Sequence, residues 1–290
     1  MNHPKVSVIV PVYNAAATIA PCVQSLLQLD YPVDHLELIL VDNGSKDGSP
    51  EILRSFGDRI RVLREEKRGA SAARNHGIRA ARFPLVAFTD ADCIVDSQWL
   101  KHLVVPLSDP EVGVSGGAVL ARRPCNRIEA YGETVHDNFR AITCYRPAYC
   151  DTASWASRAE VLQRLNYFDE TFLRAQDCEL SCRVQQAGLR LVFVPEAIVY
   201  HRNESTWRGL FLEGMTHGRN SIQLLERHRE FYAGFGYRPR NPAPYRQLWG
   251  HIKDFARGEK PETAACNVVF QAGKRLGRLA GSLQAGVLHL

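Results

Sequence analysis

The chain has 290 residues, of which 45% are hydrophobic and 23% charged, and a net charge of +5. This length fits one large domain with additions or two small ones, and the composition is ordinary for a soluble globular protein. No apolar run approaches the roughly 20 residues that span a bilayer. The apolar run near the N-terminus is short and lacks the layout of a signal peptide.

The charge is unevenly distributed along the chain. Residues 1–201 carry 22 basic and 24 acidic side chains, whereas residues 202–290 carry 14 and 7. We therefore expect the C-terminal region to contact an anionic partner, such as a phospholipid surface or a phosphorylated substrate. Neither a zinc-finger spacing nor an aromatic-interleaved basic motif is present, so nucleic acid is not expected as a partner. The eight scattered cysteines favour reduced thiols and a cytoplasmic protein, which could lie on the cytoplasmic face of the membrane.

The first 90 residues alternate short apolar strands with helices. The pattern predicts strands at Val6–Val12, Leu36–Val41, Ile60–Leu63 and Leu85–Phe88, and helices at Ala15–Leu29, Pro50–Phe56 and about Ala70–Arg82. Such alternation is typical of a parallel, doubly wound sheet. Polar loops at residues 13–15, 42–48 and 90–92 follow three of these strands, so we expect them to face one crevice at the carboxyl edge of the sheet.

Asp90 and Asp92 form the centre of this candidate site. They follow the fourth strand and are separated only by Ala91, so both carboxylates can bind one divalent cation through oxygen. Alone, a D-x-D sequence is common in surface loops, Asp42 could cap a helix, and Arg74 could lie on a solvated helix face. Neither a G-x-G-x-x-G fingerprint nor a Walker A lysine loop is present. A diphosphate bound here would therefore be held by the metal.

The second half of the chain is less regular. The pattern predicts a helix at Ser97–Leu107, a strand at Val112–Leu120 and an irregular segment at 122–149 with one candidate helix at Thr134–Ile142. It then predicts strands at Leu191–Val194 and Ala197–Tyr200, a helix at Ser205–Phe231, a linker at Tyr237–Tyr245 and a last segment at Thr263–Leu290. Gly273, Gly277 and Gly281 in the last segment permit close helix packing. The same segment could instead lie in a membrane interface, or pack on the catalytic domain or on a second copy.

Four motifs together resemble family 2 glycosyltransferases of the GT-A fold. They are Pro11-Val-Tyr-Asn, Val41-Asp-Asn-Gly-Ser-Lys-Asp-Gly-Ser, Gly69-Ala-Ser-Ala-Ala-Arg-Asn-His-Gly and Asp90-Ala-Asp. The resemblance covers roughly residues 4–205 and implies an α/β fold with a mixed, mostly parallel Rossmann-like sheet flanked by helices. It implies a catalytic domain at 1–205, with a nucleotide-sugar half to about residue 95 and an acceptor half at 96–205, and a helical C-terminal extension at 206–290.

The resemblance also implies a role for each candidate residue. Ten residues would bind a nucleotide-diphosphate sugar: Pro11, Val12, Tyr13, Asn14, Asp42, Asn43, Arg74, Asp90, Ala91 and Asp92. A Mn²⁺ or Mg²⁺ ion would be held by Asp90, Asp92 and His201. The base would be Asp177, in a segment where relatives read E-D-x-D-L, and the acceptor would contact Trp155, Gln176 and Glu179. From the residues alone, Asp177 could instead cap its helix, Trp155 could be a core residue, and His201 could be a surface residue.

These residues predict a metal-dependent, inverting transfer of a sugar from a nucleotide diphosphate to an acceptor hydroxyl, in cell-surface polysaccharide or glycolipid synthesis. A sugar-phosphate nucleotidyltransferase would need a Gly-rich Arg-Lys loop after the first strand, and a D-x-D phosphatase would need its aspartates nearer the N-terminus. A catalytically inactive sugar-nucleotide-binding scaffold would have lost the metal pair or the base. The sequence leaves open the sugar, the base of the nucleotide, the acceptor and the oligomeric state.

Overall fold

The computed structural model describes residues 3–238, 243–257, 261–287 and 289. The chain forms two compact units, the first made of Met1–Arg122 and His136–Arg202 and the second of Arg123–Val135 and Asn203–Leu290. All described strands belong to the first unit. Residues 239–242 of the predicted linker, and residues 288 and 290 of the predicted last segment, lie outside the described residues.

Eight strands and twelve α-helices follow one another along the described chain. The strands are β1 (Val6–Val12), β2 (Leu36–Asp42), β3 (Arg61–Arg64), β4 (Leu85–Phe88), β5 (Cys93–Val95), β6 (Val112–Ala121), β7 (Trp155–Arg158) and β8 (Arg190–His201). The helices are α1 (Ile19–Leu27), α2 (Ser49–Ser55), α3 (Ala70–Ala80), α4 (Trp99–Leu103), α5 (Arg127–Val135), α6 (Asn138–Thr143), α7 (Ala159–Arg164), α8 (Gln176–Gln186), α9 (Trp207–Arg227), α10 (Arg229–Gly234), α11 (Ala243–Ala256) and α12 (Pro261–Ala285).

The strands form one sheet in the order β3-β2-β1-β4-β7-β6-β8-β5. The first four are mutually parallel, β7 is antiparallel to both of its neighbours, β6 and β8 are parallel, and β5 is antiparallel to β8. The predicted mixed sheet is confirmed. Because β1, β2 and β4 are adjacent and parallel, the loops that follow them lie at the same edge of the sheet, as the sequence predicted.

Alternate residues of β1 belong to two hydrophobic clusters. Val8 and Val10 pack in one cluster with Leu26 of α1. Ile9, between them, packs in the other cluster with Ile78 of α3. Successive side chains of a strand point to opposite faces of the sheet, and helices cover both faces. This is why the strand is apolar at nearly every position.

Two predicted elements of the first unit are interrupted in the structure. The helix predicted at Ser97–Leu107 consists of α4 and a separate 3₁₀ turn at Val105–Ser108, because Pro106 has no amide hydrogen to continue an α-helix. The strands predicted at Leu191–Val194 and Ala197–Tyr200 form one strand, β8, whose register shifts opposite Gly117 and Ala118. Such a shift is a β-bulge, which accommodates the residues between the two apolar runs.

The segment at 122–149 contains two helices where the sequence predicted one. α5 ends at Val135 and α6 begins after Asp137, whose side chain accepts a hydrogen bond from the amide of Arg140. This N-cap bond satisfies an amide that has no partner within the helix. The break between the helices leaves His136 outside both of them. α5 belongs to the second unit and α6 to the first.

The second unit consists of helices. α9 and α12 pack closely through glycines, since a Cβ atom at Gly277 would lie 2.0 Å from the carbonyl oxygen of Met215. The predicted close packing of the glycine-containing segment is confirmed, and the partner helix is α9. Thr206 caps α9 by accepting a hydrogen bond from the amide of Gly209. α11 begins at Ala243, so residues 243–245 are helical rather than part of a linker.

None of the helices in the described part of the chain combines the length and the apolar character that are needed to cross a membrane.

We expect Gly218→Ala to destabilise the second unit. A Cβ atom there would lie 2.0 Å from the carbonyl oxygen of Lys274, and a backbone carbonyl cannot give way unless the two helices separate. Overpacking of this kind costs about 1–3 kcal/mol, measurable as a lower midpoint of urea unfolding. The matched control is Gly250→Ala in α11, where no heavy atom lies within 4 Å. Alanine should be neutral or slightly stabilising there, and equal losses in both variants would contradict the packing argument.

Candidate active site

The loops after β1 and β2 are bound to each other by hydrogen bonds. The amide of Ala15 donates to Ser49 Oγ at 2.8 Å, and the amide of Ala16 donates to Asp47 Oδ2 at 2.9 Å. Asn14 donates its amide to Ser45 Oγ and has a φ of +49°, a left-handed conformation that asparagine tolerates better than most residues. The hydrogen bonds give this edge of the sheet a defined shape.

Tyr13 presents an exposed ring at the end of β1. Its side chain is 45% exposed, and the Arg68 guanidinium lies 5.0 Å from the centre of the ring and donates to the Tyr13 hydroxyl. A flat aromatic surface with an adjacent cation suits a nucleotide base and its phosphates. Tyr13 therefore stays a candidate for contact with the donor, and Arg68 beside it is a further candidate.

Asn43 has a different role from the predicted one. Its side-chain nitrogen donates to the carbonyls of Glu65 and Lys67, and its side-chain oxygen accepts from the amide of Gly69 at 2.7 Å. The residue is 5% exposed. Because these groups are bound to the loop between β3 and α3, the side chain of Asn43 positions that loop.

Val12 also has a different role from the predicted one, whereas Asp42 and Pro11 stay candidates for binding the nucleotide sugar. Val12 is fully buried in the core, and its carbonyl accepts from the amide of Asn43 at 2.8 Å. It therefore holds the strand end. Asp42 is 4% exposed and accepts from the amide of Ser45 at 3.1 Å, so that its carboxylate faces the loop after β2.

Arg74 and Asp90 form an ion pair below the crevice. Nη2 of Arg74 donates to Asp90 Oδ1 at 2.7 Å, and the guanidinium lies 5.8 Å from the centre of the Phe168 ring. Arg74 is 2% exposed, yet its Nε and Nη1 have no hydrogen-bond partner among the described residues. Burial raises the pKa of Asp90, and the Arg74 charge opposes that shift. Unpartnered guanidinium hydrogens in a buried position fit an anionic ligand such as a phosphate.

Asp92, Cys93 and His201 bring possible metal ligands together. Their ligand atoms all lie within 4.8 Å of one another, and His201 Nε2 is 3.6 Å from Asp92 Oδ1. The antiparallel pairing of β5 with β8 places Cys93 opposite His201. Burial raises the pKa of the Cys93 thiol well above its usual range, and sulfur is a softer ligand than Mn²⁺ or Mg²⁺ prefers. The carboxylate and imidazole that remain fit Mn²⁺ or Mg²⁺ chemically.

The two aspartates of the D-x-D motif thus have different surroundings. Asp92 lies beside His201, whereas Asp90 is bound to Arg74 and is not a member of the ligand cluster found among the described residues. Ala91 between them is 9% exposed, so its side chain packs inward. This corrects the expectation that both carboxylates face one ion in the same way.

His136 and Asp151 are site residues that the sequence did not predict. His136 Nδ1 and Asp151 Oδ2 are 2.7 Å apart, and the ring of His136 lies 4.5 Å from that of His201, centre to centre. Burial tends to raise the pKa of Asp151, but the hydrogen bond and charge of His136 outweigh it and hold that pKa well below its usual range. The sequence predicted a continuous helix across His136, so the one local signal was Asp151, an aspartate that caps the turn before β7.

Asp177 lies in the first turn of α8, directly after Ala175 and Gln176. Burial, followed by the negative charge of Asp151, raises the pKa of Asp177 to about 6. Its Oδ1 accepts from the amide of Cys178 at 2.8 Å. A carboxylate whose pKa lies near neutrality is suited to accept a proton during a reaction. The negative charge of Asp151 acts to raise the pKa of both Asp90 and Asp177, which indicates that these carboxylates share one site.

Trp155 is a core residue rather than an acceptor contact. It is 1% exposed, and its ring lies 5.2 Å from Phe88 and 6.2 Å from Phe168. A sugar cannot stack on a ring whose faces are covered by other side chains. The expected acceptor role of Trp155 is therefore wrong.

Glu179 is likewise not available for an acceptor. It is 2% exposed, and both of its oxygens accept from Arg183, one turn further along α8. Arg183 in turn donates to the carbonyl of Tyr167, so this pair holds the helix against the preceding loop. Gln176 is partly exposed, with its Oε1 buried and without a hydrogen-bond partner among the described residues. It stays a candidate for acceptor contact.

The fold and the arrangement of carboxylates, histidines and arginine define a GT-A glycosyltransferase. Residues 7–180 match the model of the family described as Glycosyl transferase family 2. The match covers more than half of the chain, and the chain belongs to this family. The resemblance seen in the motifs is thereby confirmed, as is the prediction that the protein is a glycosyltransferase.

Three known proteins illustrate the similarity. Glycosyltransferase AglE of Haloferax volcanii is 33% identical over 204 residues, 68% of this chain and 67% of the relative. The pre-mycofactocin glycosyltransferase of Mycobacterium tuberculosis is 28% identical over 237 residues, 78% of this chain and 49% of the relative. The mannosyltransferase PcManGT of Pyrobaculum calidifontis, solved with GDP-Man and Mn²⁺, is similar in fold, with a TM-score of 0.68, 21% identity and coverage of 96% and 88%. The chain thus spans about two thirds of the first relative and half of the second.

Proposed function

We propose that this glycosyltransferase moves a sugar from a nucleotide diphosphate to an acceptor hydroxyl in a metal-dependent, inverting reaction. One observation carries the proposal. Asp177, a carboxylate with a pKa of about 6, lies in the same unit as the Asp92–His201 pair. PcManGT, which is similar in fold, was solved with GDP-Man and Mn²⁺. A nucleotide-sugar donor and a Mn²⁺ or Mg²⁺ ion are the corresponding proposals for this chain.

The donor would lie along the edge formed by the loops after β1, β2 and β4. Tyr13 and Asp42 would contact the base and ribose, and Asp90 would accept from the ribose. Arg74, whose Nε and Nη1 have no partner among the described residues, would donate to the diphosphate. Asp92 and His201 would hold the ion, which when bound stabilises the charge that develops on the leaving diphosphate by several kcal/mol, as an order of magnitude.

Asp177 would remove the proton of the acceptor hydroxyl. The oxygen of that hydroxyl would form a bond with the anomeric carbon while the bond from this carbon to the diphosphate oxygen breaks. The electron pair of the broken bond leaves with the nucleoside diphosphate, and the proton stays on Asp177. Attack from the face opposite the leaving group inverts the anomeric centre.

We further propose a division of labour along the chain. Catalysis would belong to residues 1–205, the predicted catalytic domain. The C-terminal region at 206–290 contains most of the excess positive charge, which favours peripheral contact with anionic lipid on the cytoplasmic face of a membrane. Synthesis of a cell-surface polysaccharide or glycolipid would suit such a location. A homo-oligomer is compatible with these proposals.

The test is nucleotide release from a panel of UDP-, GDP- and dTDP-sugars with Mn²⁺, Mg²⁺ or a chelator. We expect release with one donor class that depends on the metal, and stabilisation of the protein by the matching nucleoside diphosphate in a thermal-shift assay. Metal-dependent donor binding without release from any acceptor mixture would instead support the scaffold alternative. Pyrophosphate formation from a sugar phosphate and a nucleoside triphosphate would support the nucleotidyltransferase.

A further inference from the structure

Tyr145 and Tyr149 form a stacked pair in the segment between α6 and β7. The ring centres are 6.0 Å apart and the ring planes differ by 20°, a favourable offset arrangement. Tyr145 is 42% exposed, whereas Tyr149 is partly buried. The pair therefore presents an aromatic surface to solvent on one side and is supported by protein on the other.

Helix α8 fixes the position of this pair. The residue before Tyr149 exchanges two backbone hydrogen bonds with the side chain of Gln185, at 3.1 and 2.8 Å. The amide of the residue after Tyr149 donates to Ser181 Oγ at 3.3 Å. Gln185 and Ser181 belong to the helix that carries Asp177 in its first turn. The same rigid element therefore holds both the aromatic pair and the base.

Tyr149 also lies within electrostatic reach of the base. Burial raises the pKa of Tyr149 well above its usual range, and nearby negative charges, including those of Asp177 and Asp151, raise it further. The phenol is therefore neutral and offers a hydrogen-bond donor beside the carboxylates. Asp151 follows Tyr149 by two residues, so the chain itself connects the tyrosine to the site.

The surroundings of Tyr145 combine apolar and hydrogen-bonding groups. The Arg140 guanidinium lies 5.9 Å from the centre of the Tyr145 ring. Phe139, which precedes Arg140 on α6, is 53% exposed and packs against Phe193. A pyranose ring has one face of C–H groups and a rim of hydroxyls, which match an aromatic face bordered by donors. A lipid chain would instead require a continuous apolar groove without charged groups.

We propose that Tyr145 and Tyr149 form the acceptor subsite and that the acceptor is a glycan. Its terminal pyranose ring would stack on the exposed face of Tyr145, and one of its hydroxyls would reach Asp177 past the hydroxyl of Tyr149. This assignment rests on the proposed function, because it takes Asp177 as the base. It replaces the stacking role that the sequence suggested for Trp155.

The test uses saturation-transfer-difference NMR on the full chain with the methyl glycosides of glucose, galactose, mannose and N-acetylglucosamine. We expect at least one glycoside to bind through its ring C–H protons, and Tyr145→Ala to weaken that binding by about tenfold or more. Tyr145→Phe and Tyr145→Trp keep the aromatic face and should retain it. In transfer assays with the bound glycoside, Tyr145→Ala should raise the acceptor KM with little change in kcat.

The matched control is Phe235→Ala in the second unit, because Phe235 has a similar exposed fraction of 46%. It should leave glycoside binding unchanged. Equal binding by the wild type and Tyr145→Ala would overturn the proposal, as would binding of none of the glycosides or binding of anionic phospholipid vesicles through the same tyrosines. Metal-dependent donor binding and nucleotide release would survive such a result, whereas they would be lost if the proposed function itself were wrong.

Discussion

Asp177→Asn is expected to lower the rate of sugar transfer by about 10²- to 10⁴-fold, the usual contribution of a positioned general base. Asparagine keeps the size of the side chain and can accept the hydrogen bond from the Cys178 amide, but it cannot take up the acceptor proton. The donor does not depend on this group, so the affinity for the nucleoside diphosphate should stay the same. Single-turnover transfer rates and a thermal-shift titration with the nucleotide measure the two quantities separately.

The pH profile supplies a second readout of the same residue. With a pKa of about 6, Asp177 is protonated and inactive as a base in acid, so kcat/KM should rise through pH 6 and level off above it. The burial that raises this pKa favours the protonated form, so the group stabilises the fold at low pH and this contribution is lost as pH rises through about 6. Asp177→Asn should therefore be at least as heat-stable as the wild type at pH 8.

The control for these measurements is Asp34→Asn, which removes an exposed carboxylate in a 3₁₀ turn. It should change neither the transfer rate nor the pH profile. A wild-type rate in Asp177→Asn would mean that another group accepts the proton, with Asp151, whose charge acts on Asp177, as a candidate.

The positions of the first four strands followed from sequence because they depend on local patterns. β1 and β4 were predicted with the correct ends, since each is a short apolar run bounded by turn-forming residues. Once these strands are taken as parallel, the placement of Asp42 and Asp90 at one edge follows from geometry. The D-x-D motif and the helix that begins with Gln176-Asp177 were visible for the same reason.

The parts of the fold and of the site that the sequence did not predict depend on contacts between distant segments. β5 has three residues, too few for a period, and it exists because it pairs with β8. His136 and Asp151 are 15 residues apart with α6 between them, and no local pattern predicts that they meet. The side chain of Asn43 is bound by a loop more than 20 residues away, which is why a residue in a family motif turned out to position a loop.

Asp92→Asn and His201→Ala are each expected to lower kcat/KM by about 10²- to 10³-fold, because each removes one ligand of an ion that stabilises developing charge. Binding of Mn²⁺, followed by the electron paramagnetic resonance signal of the free ion, should weaken in both variants in the presence of the nucleotide. This readout does not depend on turnover. Cys93→Ser tests the third member of the cluster and should leave Mn²⁺ binding close to wild type, because Mn²⁺ prefers oxygen ligands to a soft sulfur ligand.

The double variant Asp92→Asn/His201→Ala decides whether the two residues act on one ion. Their side chains are 3.6 Å apart, and groups that act as a unit have strongly non-additive effects. If both hold the same ion, the second substitution should add little to the loss caused by the first. Independent roles would instead multiply the two losses, and the histidine would then belong with His136, whose ring lies against it, rather than with the metal. Such a result would leave Asp92 as the only protein ligand proposed here.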